Sequence, residues 1–137
     1  MSGTPPQPGA PYVVEAEPRS DYLRIVIRGV RSSEAVSIAG WREVARHVRE
    51  HGASRVLVVS ELEGPLPTPD QQRRIMLALV GWGFERVRTA FVLADALNVA
   101  SLEHGEMQAR ELGQESRVFG SEALAEVWLR HGMSGKK

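Results

Sequence analysis

The chain has no cysteine among its 137 residues, which removes disulfides, thiolate catalysis and cysteine-ligated zinc sites together. It also lacks net charge. Seventeen basic side chains balance seventeen acidic ones, so no overall field draws it toward nucleic acid or an anionic membrane surface. No long hydrophobic run is present: the most apolar stretch, IMLALVGWGF, has about half of the ~18–20 residues that a membrane span requires. The N-terminus shows no basic-then-apolar export pattern, and a cytoplasmic location without membrane insertion is expected. Neither G-x-S-x-G, G-x-G-x-x-G nor G-x-x-x-x-G-K-[ST] occurs, so the local scaffolds of a nucleophile elbow, a dinucleotide fold and a P-loop are missing. No enzymatic activity and no cofactor are expected.

What is there is ordinary globular material, with 42% hydrophobic and 25% charged residues, enough for one compact domain around one core. That domain is expected over residues 12–132. MSGTPPQPGAP at the start packs four prolines and two glycines into eleven residues. It offers too few large apolar groups to offset the entropy of ordering it, so residues 1–11 read as a disordered tail. GMSGKK at the end reads as a second flexible tail over residues 133–137.

Two periodicities alternate between the tails. PYVVEAE and DYLRIVIRG are β-branched runs joined by PRSD, a turn cluster short enough for an antiparallel hairpin that leaves the first strand at the sheet edge. Ile38, Trp41, Ala45 and Val48 then recur at helical spacing, with hydroxyls before them and Gly52 as the stop. RVLVVS is almost continuously apolar, as a central strand covered on both faces should be. From Thr68 the helical period returns through Ile75, Met76, Leu79 and Val80, and the GWGF segment supplies Gly83 as a left-handed stop. RTAFVLA is the next strand, Asn98 caps a helix to about Leu112, and ESRVFG is a short last strand. SEALAEVWLRHG closes the chain, with Ala123, Leu124, Val127 and Trp128 predicted to face inward. The predicted class is α/β, a mixed five-stranded sheet with four helices, its first edge strand antiparallel and the other four strands parallel through right-handed crossovers.

Within this element order, FERVRTAFVLAD resembles the strand and lead-in, and SRVFGSEALAEVWLR resembles the closing strand and Trp-Leu-ended helix, of STAS domains in their SpoIIAA-like branch. The resemblance implies a SpoIIAA-like fold that acts by binding partners, nucleotides or apolar ligands, without shared catalysis. In the members that antagonise anti-sigma factors, the loop after the third strand carries an Asp-Ser-Ser-Gly-like phosphorylation motif. Here that loop is SELEGPLPTPD, which has no Ser-Gly pair and only Thr68 as a hydroxyl at the helix start. Thr68-Pro69-Asp70-Gln71 forms a capping box with proline at the first helical position, a sufficient structural reason for the threonine.

The candidate ligand crevice lies at the carboxyl edge of the sheet, where open α/β sheets bind, and comprises Glu61, Thr68, Asp95 and Asn98. A candidate interaction surface follows from the breadth of the second helix, whose Met76, Leu77 and Val80, with Trp82 and Phe84 beyond, span more circumference than one core stripe needs. Adaptable methionine and flat aromatic groups suit a homodimer contact or an apolar ligand groove. Arg73, Arg74, Arg86 and Arg88 stand near its ends as possible clamps for an anionic head group. His47 and His51 share a helix face, yet HVREH lacks the glutamate of a zincin motif, so no metal site is expected. The expected function is that of a SpoIIAA-like binding or interaction module, self-associating through the apolar helix surface or engaging a protein partner. A carrier of a small apolar or anionic, lipid-like ligand is the alternative, and a phospho-regulated anti-sigma-antagonist-like switch through Thr68 is the third reading.

Overall fold

A computed structural model of the chain describes residues 11–93 and 115–131. Strand β1 (Val13–Pro18) pairs antiparallel with β2 (Leu23–Val30), and the turn between them is closed by the Arg19 N–H donating to the Tyr22 carbonyl at 2.9 Å. Helix α1 (Glu34–His51), β3 (Arg55–Glu63), α2 (Pro69–Ala78), a 3-10 turn (Phe84–Arg86), β4 (Arg88–Leu93), β5 (Glu115–Phe119) and α3 (Glu122–His131) follow. The strands lie in chain order, β1-β2-β3-β4-β5, in one five-stranded sheet, and every pair after the first is parallel. This is the predicted mixed sheet. Three α-helices are present among the described residues. The helix expected from Asn98 to Leu112 lies outside them, as do the expected tails apart from Pro11.

Local chemistry sets the helix ends. Ser33 accepts the Val36 N–H at 3.1 Å to open α1, and Gly52, at φ 60°, closes it in the left-handed conformation that costs glycine least. Thr68 forms the predicted capping box: its hydroxyl accepts the Gln71 N–H at 3.2 Å while its own N–H donates to the Gln71 side chain at 2.9 Å. Ser121 accepts the Leu124 N–H at 3.3 Å to start α3. Helix α2 stops at Ala78, earlier than predicted, because Gly81 and Gly83 both adopt positive φ. Gly83 at φ 106° opens the 3-10 turn rather than closing the helix.

Strand alternation divides the sheet into two faces. Ile25 and Ile27 of β2 and Val56 and Val58 of β3 meet Val44, Ala45 and Val48 of α1 and Ile75 and Leu79 of α2 in one buried cluster. Both helices occupy this face because right-handed crossovers between successive strands of a sequentially ordered sheet return on the same side. The opposite face carries Leu57, Ala90 and Val92 against Ala125, Trp128 and Leu129 of α3.

Helix α3 is rotated from the predicted phase. Of the expected inward residues only Trp128 is inward, while Leu124 and Val127 are exposed. Two polar links set the rotation: Tyr22 donates to Glu126 at 2.5 Å, and Arg24 grips Glu122 with two bonds of 2.9 Å. Ala125, Trp128 and Leu129 then form an i, i+3, i+4 stripe on the sheet.

Candidate functional site

On the face covered by α1 and α2, a cavity of about 180 Å³ opens between the helices and the sheet. Among the described residues, α1 contributes Ser37 and Trp41, α2 contributes Gln72, Ile75, Met76 and Leu79, and the strands contribute Leu62, Thr89, Phe91, Ser116 and Val118. Tyr12, Arg31, Leu66, Pro67 and Phe84 complete the wall. Thr89 and Ser116 are register partners on β4 and β5, and their small side chains leave depth where β-branched apolar residues would fill it.

The aromatic walls are fixed by mutual packing. Trp41 stands edge-on to Phe91 with centroids 5.6 Å apart, and to Phe84 at 6.3 Å, the T-shaped geometry that ring quadrupoles favour. Tyr12 is wedged between two glycines. A Cβ at Gly29 would lie 2.9 Å from its ring, and one at Gly40 would overlap it outright. The absence of a side chain at Gly40, in the middle of a helix, is therefore what admits the ring. The Tyr12 hydroxyl shares a 2.7 Å hydrogen bond with Ser37, which satisfies both groups.

Two polar groups of the wall stand apart. Gln72 is buried, and its amide N–H donates to the Pro67 carbonyl at 3.3 Å, but its Oε1 has no hydrogen-bond partner among the described residues. Arg31 is half-buried and donates through Nη1 to the Gly64 carbonyl at 2.6 Å. Burial pulls its pKa below the usual guanidinium range. It pairs with no carboxylate among the described residues, whereas Arg24, Arg28, Arg74, Arg88 and Arg130 each do.

The predicted site residues are dispersed. Glu61 points from the opposite face of β3 and pairs with Arg28 of β2 at 2.8 Å, while Arg28 also holds Glu15 at 2.6 Å. Thr68 is engaged in capping α2, and Asp95 and Asn98 lie outside the described residues. The two described members of the predicted crevice therefore do not meet. On the predicted interaction surface, Leu77 and Val80 are 47% and 49% exposed. Met76 instead lines the cavity, and Phe84 is buried in the core, which removes both from any continuous outer patch. Trp82 is half-buried, with the Arg42 and Arg49 guanidinium groups 4.9 and 5.8 Å from its ring. Arg74 and Arg88, two of the predicted anion clamps, are engaged by Glu34 and Glu115. The rings of His47 and His51 lie 6.4 Å apart, and among the described residues no group of three or more potential metal ligands converges.

Sequence reasoning passed over Arg31 and Gln72 and read Trp41 as core. A signal existed for Arg31, which follows β2 at the same carboxyl edge that directed attention to Glu61. None existed for the void, because periodicity shows that a residue faces inward but not whether a neighbour fills the space beside it. Compared with protein-family models, curated proteins and solved structures, the chain matches none.

Proposed function

We propose that the chain is a non-enzymatic binding module of STAS-like, SpoIIAA-like type that carries a small, largely apolar ligand in the cavity between α1, α2 and the sheet. The observation that carries this reading is the cavity itself, about 180 Å³ with aromatic and aliphatic walls. An engineered apolar cavity of about 150 Å³ accepts benzene, so the space suits a ligand body of ring size or a short chain. Few, well-placed polar groups in an apolar lining are the ordinary composition of a small-molecule site. Its described lining holds one cation and neither carboxylate nor imidazole, which supports binding over acid-base catalysis. The strand order and the two resembling segments support the family part of the reading. A balanced net charge supports the exclusion of nucleic acid, and the cytoplasmic location remains the sequence expectation.

Native mass spectrometry of protein purified without denaturation tests the carrier. The expected result is a chain with additional mass that is lost in a Met76→Trp variant, whose indole fills the space. A bare chain that neither octanol nor indole stabilises in thermal denaturation would refute it. A second reading rests on the exposure of Leu77 and Val80, and makes them a homodimer contact. It requires a wild-type dimer in sedimentation that Leu77→Glu converts to monomer, and a wild-type monomer would end it.

A further inference from the structure

The polar groups of the cavity differ in what they still require. The Tyr12 and Ser37 hydroxyls satisfy each other, and the small Thr89 and Ser116 side chains lie near the amino ends of β4 and β5. Arg31 and Gln72 lie toward the carboxyl edge of the sheet, Arg31 just after β2 and Gln72 in the first turn of α2. From Gln72 to the C-cap residue Leu79 the chain advances seven residues, about 10 Å, and along that length Ile75, Met76 and Leu79 line the cavity with Trp41 and Phe91. The space therefore has a charged, polar head and a largely apolar shaft, with the small Thr89 and Ser116 side chains in its floor.

Among the described residues, both Arg31 and Gln72 have an unmet requirement. A half-buried guanidinium has lost part of its hydration, and Arg31 recovers only one carbonyl, through Nη1; its remaining N–H donors have the fork geometry that matches a carboxylate. One positive charge is neutralised by one negative charge, which favours a monoanion over a phosphate dianion. Gln72 is only 6% exposed and its Oε1 is an acceptor without a donor. Its orientation is fixed, because its N–H is already committed to the Pro67 carbonyl. A buried acceptor left in this state is costly, and a ligand hydroxyl would satisfy it.

Resting on the carrier reading, the geometry points to a medium-chain hydroxycarboxylic acid as the ligand class, its carboxylate on Arg31, its hydroxyl donating to Gln72 Oε1 and its chain between Trp41, Phe91 and Met76. A body of about six to eight carbons fits, by comparison with the benzene-sized engineered cavity.

Calorimetric titration of the full chain with 3-hydroxyoctanoate, octanoate, octanol and octyl phosphate separates the claims. Octanoate binds wild type at least about tenfold more tightly than octanol, the weight of one charge-assisted hydrogen-bonded pair. The hydroxy acid gains a further several-fold, and octyl phosphate binds more weakly than octanoate. Arg31→Met keeps octanol binding and loses the preference for octanoate; Gln72→Leu keeps that preference and loses the advantage of the hydroxyl. Equal binding of octanoate and octanol by wild type overturns the anionic head while leaving the carrier standing, and tighter binding of octyl phosphate overturns the carboxylate. Equal binding of the hydroxy acid and octanoate overturns the role of Gln72. Failure of all four ligands refutes the carrier itself. The wild-type comparison requires no variant, so it decides even if Arg31→Met does not fold.

Discussion

The two faces of the sheet are covered in different ways. On the α3 face, Leu57, Ala90, Ala125 and Leu129 pack to zero exposure, and toward the β1 edge charge takes over. Glu17, Arg24 and Glu122 form one linked group across β1, β2 and α3, and Glu15, Arg28 and Glu61 form another across β1, β2 and β3. Val26 belongs to neither apolar cluster yet is only 4% exposed; it lies between Arg24 and Arg28, whose aliphatic stems shield such a residue while their heads stay wet. The α1–α2 face buries more apolar residues but leaves space among them. One face is closed by packing and ion pairs; the other keeps a void walled by aromatic rings. Dense packing supplies stability, and incomplete packing supplies room for a ligand.

The largest expected effects test that contrast directly. Leu129→Ala removes a fully buried side chain from the closed face and should cost about 3–4 kcal/mol, including the cavity it creates. Met76→Ala enlarges a space that already exists and should cost about 1–2 kcal/mol, since fewer packing contacts are lost. Urea denaturation of both variants measures the pair, and equal losses would erase the distinction between the faces. Gly40→Ala comes next. Its methyl group overlaps the Tyr12 ring, so overpacking should cost about 1–3 kcal/mol despite the roughly 1 kcal/mol that alanine gains in helix propensity. A variant as stable as wild type would show that Tyr12 does not sit as described.

The smallest effect is a pH dependence confined to the α3 face. Burial, and then the hydrogen bond to Glu126, push the Tyr22 pKa from 10.0 up to about 12. The folded state thus retains the phenolic proton more tightly than the unfolded chain does. This contribution is fully present below pH 10 and is lost as pH rises toward about 12. Few other groups confuse the measurement, because Tyr12 is the only other tyrosine and the only lysines are Lys136 and Lys137. Tyr22→Phe should therefore flatten the decline in stability between these pH values in chemical denaturation. Parallel declines in variant and wild type would remove Tyr22 from the account.

Much of the fold was legible because its signals are local. The helix caps at Ser33, Thr68 and Ser121 and the stop at Gly52 each depend on a side chain or a φ value within four residues, and β-branched or apolar runs mark the first four strands. The rotation of α3 was not legible. A periodic stripe containing Ala123, Leu124, Val127 and Trp128 competes with one containing Ala125, Trp128 and Leu129, and the tie is broken by Tyr22 and Arg24, about a hundred residues earlier in the chain. The site was less legible still. Glu61 sits at the edge where ligands bind but alternates to the other face, one residue out of phase with Leu62 in the cavity wall.

The sequence by itself determined the alternation of strands and helices, the parallel sheet with its antiparallel edge, and the positions of most helix ends, because periodicity, caps and crossover handedness act over short separations. Only the tertiary structure decided which face each strand residue serves, which arginines find a carboxylate, and where packing stops short of closure. Those outcomes depend on side chains from α1, α2, β4 and β5 meeting in space, and no single segment encodes the volume left between them.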